Sequence, residues 1–132
     1  MSELNTTALA FIGDAVYELY IRTNIAAGRG KKDADSMHRE AVRFVRAESQ
    51  AASVKEMLKE FLSDEEADIV RRARNHKTPN RSRNAGALEY KMATAFEALI
   101  GSLYLAGRTA RAEEIMAEAV RIISSEGGKD HE

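Results

Sequence analysis

A chain of 132 residues with 44% hydrophobic and 31% charged residues is long enough for a real core and too apolar to be disordered. It has no cysteine, which excludes both a disulfide framework and a thiolate metal site. A formal net charge of -1 does not announce a polyanion partner, so any such surface must be local. No apolar run approaches the length of a membrane span, and no basic start leads into an apolar signal segment. The expectation is a cytoplasmic protein with no membrane association.

A single proline, few alternating β-branched residues and abundant Ala, Glu, Arg and Leu predict one all-α domain over residues 1–132. Asn5 or Thr6 can cap a first helix in which Leu9, Ile12, Val16 and Leu19 recur at helical spacing and predict the core face. Phe11 lies off that face. The helix should stop near the glycines of Ala26-Ala-Gly-Arg-Gly30. Gly28-Arg-Gly-Lys-Lys32 lacks the spacing and the preceding strand of a phosphate loop. Asp33 can open a second helix with an inner face of Met37, Ala41, Phe44 and Val45. A third follows through Ala51, Val54, Met57, Leu58 and Phe61. No Gly or Pro separates the two, and the break is placed near Ala47-Glu-Ser-Gln50. Ser63-Asp-Glu-Glu66 is a capping-box pattern for a fourth helix, which begins acidic and ends in Arg71-Arg72-Ala-Arg74. A polar loop is expected from Asn75 to Ala87. Then comes an apolar helix around Glu97 that ends at Gly107. Thr109 can cap a last amphipathic helix, with a polar, frayed tail after Ser124.

Two stretches near opposite ends of the chain carry the functional argument. Both Ala8-Leu-Ala-Phe-Ile-Gly-Asp14-Ala-Val-Tyr-Glu-Leu19 and Met92-Ala-Thr-Ala-Phe-Glu97-Ala-Leu-Ile-Gly-Ser-Leu-Tyr-Leu105 are apolar helices with an acid in the middle. Burying a carboxylate is costly unless it is paired or bound to a cation. Neither acid has a basic residue one turn away. Small residues (Gly13, Ala98, Gly101) lie beside both and let two helices approach closely. The expectation is that Asp14 and Glu97 meet and share Mg²⁺ or Mn²⁺, which suit oxygen ligands. The competing reading puts each acid on an exposed strip.

The second signal is basic. Arg71, Arg72, Arg74, Lys77, Arg81, Arg83 and Lys91 fall in a span whose only acid is Glu89. A charge run is often only a solvated face, but this one directly precedes the Glu97 helix and suggests a phosphate-bearing substrate. Tyr90 is its only aromatic. Single-strand binders stack bases on aromatics, whereas duplex RNA is held by shape, phosphate and 2′-hydroxyl contacts, so the bias is toward a duplex. His38, His76 and His131 match no metal-ligand spacing; His76 sits in the basic loop, where it can touch RNA.

Phe11-Ile-Gly-Asp-Ala-Val-Tyr-Glu-Leu19 resembles the signature helix of the ribonuclease III catalytic domain. Thr94-Ala-Phe-Glu-Ala-Leu-Ile-Gly-Ser-Leu-Tyr-Leu105 is similar to that family's second metal-binding helix. The order and separation fit one domain, and the length leaves no room for the double-stranded-RNA-binding domain of larger members. With Arg74-Asn75-His-Lys77, this points to the mini-ribonuclease III subfamily. The resemblance implies a homodimeric, all-helical endoribonuclease that hydrolyses phosphodiester bonds in double-stranded RNA with Mg²⁺. It also implies maturation of the large-subunit (23S) ribosomal RNA precursor, with a ribosomal protein assisting substrate presentation. Asp14 and Glu97 match the family's metal-ligating, catalytic acids. Phe11 matches an aromatic inserted into the partner subunit. Arg74, His76, Lys77, Arg81 and Arg83 are the RNA-binding residues expected. Ala10 and Thr94 stand where larger members carry acids, as does Thr7 nearby, so a four-carboxylate site is not expected; Glu18 is placed as an outer contact. A non-catalytic duplex-binding module is the alternative that Ala10 and Thr94 favour. A purely structural dimerisation domain ranks last.

Overall fold

The computed structural model describes residues 5–76 and 85–130, with the side chains of 85 and 127–130 excepted. These residues form six helices and no strand: α1 (Thr6–Ala27), α2 (Ala34–Val45), α3 (Ala47–Glu60), α4 (Asp64–Arg74), α5 (Ala85–Leu105) and α6 (Thr109–Asp130). The expected all-α bundle is what the chain forms. The apolar helix α5 is its centre, with Ala95, Phe96, Ala98, Leu99 and Ile100 fully buried. Helix α1 lies along it, α3 and α4 flank it, and α6 packs against α3 and α5.

Local chemistry sets most helix ends. The Asn5 side chain accepts from Ala8 N at 2.8 Å and that of Asp33 from Ser36 N at 2.8 Å, each satisfying an orphan first-turn amide. Ser63 and Glu66 complete the predicted capping box, at 3.1 and 2.9 Å. After α1 the Lys32 ammonium donates to the Gly28 and Gly30 carbonyls, so this cation closes the turn. The break between α2 and α3 falls at Arg46, one residue before the expected stretch. A single extended residue (φ -68, ψ 154) is enough, because side chains of α3 reach back to the carbonyls that α2 leaves unpaired. Ser49 Oγ donates to Arg43 O at 2.7 Å, and Gln50 Nε2 to Val45 O at 2.9 Å. Further on, α5 begins at Ala85, inside the stretch expected to be loop. Thr109 is the first residue of α6 rather than its cap, and the helix continues past Ser124.

The core face of α1 differs from the one periodicity predicts. Ala10, Gly13, Tyr17 and Ile21 are buried, whereas Leu9, Ile12 and Val16 are half-buried and Leu19 is exposed. Helix α1 is apolar nearly all round, so its large residues do not mark the inner side. Close approach to α5 selects the small ones. Tyr17 anchors the packing: its ring meets Phe96 edge-on at 5.0 Å and its hydroxyl donates to Phe44 O at 3.0 Å.

A buried ion pair ties α6 to the start of α4. Glu66 is 1% exposed, and both its oxygens accept from Arg111 at 2.9 Å. The same guanidinium donates to Phe61 O and Glu114 and lies 4.8 Å from the Phe61 ring centroid. Arg111 holds the Glu66 carboxyl below the usual carboxylate range. A folded-state pKa below the unfolded one contributes stability at neutral pH that is lost as pH falls through the folded pKa. Arg111→Met is expected to cost about 3 kcal/mol at pH 7, because it leaves a buried charge unpaired. It should also flatten the acid limb of the stability curve. Urea unfolding of both proteins from pH 3 to 7 checks this; equal midpoints throughout would refute it.

Candidate active site

Helices α1 and α5 cross at two glycines. A Cβ on Gly13 would lie 1.7 Å from the Glu97 carbonyl oxygen, and one on Gly101 would lie 2.1 Å from that of Leu9. Only residues without a side chain allow this distance, as the small residues beside the acids predicted. Asp14 follows Gly13, and Glu97 stands one turn before Gly101. The crossing thus brings both side chains to the lining of one cleft, close enough for the Asp14 charge to act on the Glu97 carboxyl. The two acids that the sequence singles out line the same cleft. The cost of burial falls on only one of them: Glu97 is half-buried, but Asp14 is exposed on the open edge of α1.

Burial pushes the Glu97 carboxyl up to about 7, aided by the charge of Asp14, a hydrogen bond with it and the charge of Glu18; the Gln50 amide opposes the rise. Glu18 is therefore close enough to act through its field, although it is paired with Arg22 at 3.1 Å. With a folded-state pKa above the unfolded value, the folded protein holds more protons than the unfolded chain between the two. Metal-free stability should then fall as pH rises from 4.5 to about 7 and level off above. Glu97→Gln should remove that slope. Thermal unfolding in chelator across this range tests it, and an unchanged slope in the variant would assign the titration elsewhere.

The two carboxyls open into a cleft of about 240 Å³ between α1, α5 and the end of α4. His76 and Lys91 line it, so two basic side chains face the acidic pair. Thr7, Ala10 and Thr94 also line it, and none of the three can ligate as a carboxylate. Among the described residues no cluster of three or more potential metal-ligating side chains exists. The donor set is two carboxylates, which fits a hard cation that keeps waters and takes further oxygens from a bound phosphate. Phe11, 79% exposed, stands on the rim with Tyr90. Of the other residues expected to meet RNA, Arg74 is bonded to Asn75 at 3.2 Å and is not part of the cleft wall. Lys77, Arg81 and Arg83 lie outside the described residues. Gln50 is a neighbour of the site that sequence reasoning does not find. A glutamine among Ala, Ser and Glu carries no sequence signal, and only the packing of α3 on α5 places it beside Glu97.

Residues 7–108 match the model of the Ribonuclease III domain. The chain is 47% identical over 120 residues to the Mini-ribonuclease 3 of a Thermoanaerobacter species, covering 91% of this chain and 83% of that protein. It is 37% identical to the Mini-ribonuclease 3 of Clostridium tetani, covering 99% and 88%. A protein from Fusobacterium nucleatum, solved by X-ray crystallography, shares the fold with a TM-score of 0.76 at 32% identity over 90% of this chain and 93% of that one. No helix among the described residues is long and apolar enough to cross a membrane. Enzymes of the ribonuclease III family depend on metal and act on RNA. With the two acidic helices crossed as described, the chain belongs to the ribonuclease III family, in its mini-ribonuclease 3 group, and is an endoribonuclease.

Proposed function

We propose that the enzyme cuts double-stranded RNA with Mg²⁺ held by Asp14 and Glu97, that Mn²⁺ can substitute, and that it works as a homodimer. The observation that carries this reading is the convergence of the two carboxyls in an open cleft that the basic Lys91 and the imidazole of His76 also line. When bound, the cation would supply charge stabilisation to a phosphoryl oxygen and acidify a water. The chain's own residues do the rest. Asp14 and Glu97, both as carboxylates, would hold the cation at the mouth of the cleft. Lys91 and His76 hold the scissile phosphate over the pair, and Lys77, Arg81, Arg83 and Arg74 follow the duplex backbone beyond it. Water attacks phosphorus in line and loses a proton to solvent, and the bond to the 3′-oxygen breaks, leaving a 5′-phosphate and a 3′-oxygen that takes up a proton to become the hydroxyl.

The dimer is supported by unburied apolar surface. Phe11 and Tyr90, on the rim of the cleft, are 79% and 58% exposed, and Leu88 elsewhere on α5 is 61% exposed. A second copy would bury Phe11 and set two cleavage sites across one duplex. We further propose that the natural substrate is the large-subunit ribosomal RNA precursor, in the cytoplasm. A duplex-binding module without catalysis would explain Ala10 and Thr94 but not why Asp14 and Glu97 face each other.

The test is incubation of a labelled duplex RNA and of its separate strands with the full chain, in Mg²⁺ and in chelator. Cleavage of the duplex alone, and only with the cation, is expected. Cutting in chelator, or of single strands equally well, would overturn the reading.

A further inference from the structure

Helix α5 is buried through most of its middle, and the exception is a strip. Met92, Ala93, Ala95, Phe96 and Ala98 are buried, whereas Lys91, Thr94 and Glu97 are half-buried. Residues three apart are neighbours on a helix surface, so these three side chains form a ladder, and all three line the cleft. Helical rise spaces them by about 4.5 Å, as an ammonium, a hydroxyl and a carboxylate in that order. The Lys91 ammonium has no hydrogen bond or ion pair among the described residues, with Asp14 and Glu97 included. A charge taken partly out of water without a partner is costly, so this one points to an anion from outside the chain. The acids, in turn, are too few for two cations. Asp14 and Glu97 as carboxylates balance one divalent ion. Sites that hold two keep them about 3.5–4 Å apart, where their repulsion has to be offset by further anionic ligands. The cleft wall offers none among the described residues. Thr7, Ala10 and Thr94 stand one or two turns from the acids, and Glu18 is paired with Arg22 at 3.1 Å. The sequence from Ile69 to Leu88, which leads into α5, contains no acid.

We infer that Lys91 serves in place of a second cation: the cleft takes one divalent ion per chain, at Asp14 and Glu97, and the Lys91 ammonium brings the other positive charge to the same phosphate. The fixed ammonium also repels a second ion from that end of the ladder. The inference rests on the proposed metal role of Asp14 and Glu97. It adds the number of ions and makes Lys91 a catalytic residue, one that stabilises charge developing on the phosphate and does not merely bind the duplex.

Ion counting on the full chain tests this apart from activity. Mn²⁺ binding without RNA, read by the electron spin resonance of free Mn²⁺, should saturate at one ion per chain. Lys91→Glu removes the ammonium and adds a third carboxylate to the ladder, so it should bind a second ion; a variant that still binds one overturns the inference. With duplex RNA present, the wild-type cleavage rate should rise with Mg²⁺ concentration to first order. Lys91→Met should keep the single Mn²⁺ site, while kcat falls roughly 10²- to 10³-fold, the loss expected when one donor aimed at developing charge is removed. KM should change far less, and Lys91→Arg, which keeps the charge, should recover most of the rate. Lys91→Gln takes the place of the methionine variant if that one does not fold, and the wild-type ion count and Mg²⁺ order decide in either case. Two ions per chain, or a second-order dependence on Mg²⁺, overturns the inference and leaves the metal reading standing. A neutral variant that turns over like wild type, or changes in KM alone, overturns it as well. A wild type that binds no Mn²⁺ and cuts in chelator overturns the metal reading beneath it.

Discussion

Gly101→Ala is expected to destabilise the fold by more than about 3 kcal/mol, the upper end of ordinary overpacking, and Gly13→Ala by at least as much. In an exposed helix the same change would stabilise by up to about 1 kcal/mol, because alanine is the better helix former. Here the sign reverses. The new methyl would sit 2.1 Å from the Leu9 carbonyl oxygen in one case and 1.7 Å from that of Glu97 in the other. The obstacle is backbone of a packed helix, which cannot turn aside as a flexible side chain can. The helices must move apart along their whole contact, and Tyr17 and Phe96 lose their edge-on packing with them. Stabilities of about 5–15 kcal/mol leave little room for such a loss. Thermal unfolding followed by circular dichroism measures it. A melting temperature at or above wild type would mean that the helices do not cross where described. A variant that survives folded should still lose activity, since the crossing sets the separation of the acids.

The second large effect is on activity alone. Asp14→Asn and Glu97→Gln preserve shape and remove one negative charge each. Charge stabilisation by a cation is worth several kcal/mol, and each 1.36 kcal/mol is a factor of about ten, so a fall in kcat of roughly 10³-fold or more is expected. Stability should move the other way for Glu97→Gln, because it relieves a half-buried carboxyl held beside Asp14. Loss of function with retained or improved stability is the signature of a site residue and is the reverse of the glycine result. Duplex-RNA cleavage and unfolding measured on the same preparations give both readings. Activity within tenfold of wild type would sink the assignment.

How legible these features are in the sequence depends on the range of the interactions behind them. Ser63 with Glu66 and Asp33 with Ser36 are contacts three residues apart, so the sequence pattern alone marks these helix starts. The glycines beside Asp14 and Glu97 are equally readable, because close approach has one residue type that serves it best. The α1 core face is not, because Leu9, Ile12, Val16 and Leu19 share a helical spacing no matter which side faces α5. The break at Arg46 is set by Ser49 and Gln50 reaching back, and nothing in a run of helix-compatible residues announces it. Arg111 with Glu66 is a long-range pairing between residues common on any surface, and Gln50 is buried by the packing of α3. Only the finished packing tells Arg111 and Gln50 apart from solvated neighbours.

The glycine crossing also has a consequence for when the enzyme becomes active. Its two acids come from opposite ends of the chain, and the contact between α1 and α5 closes a loop that holds α2, α3 and α4. Loop closure of that kind is entropically demanding and rewards the chain only once the distant partner is present. A ribosome still translating α4 has exposed Asp14 and has not yet made Glu97. With Asp14 and Glu97 as the proposed site, the nascent protein would display half a cleft and would not cleave RNA, including the RNA of the machine that is making it.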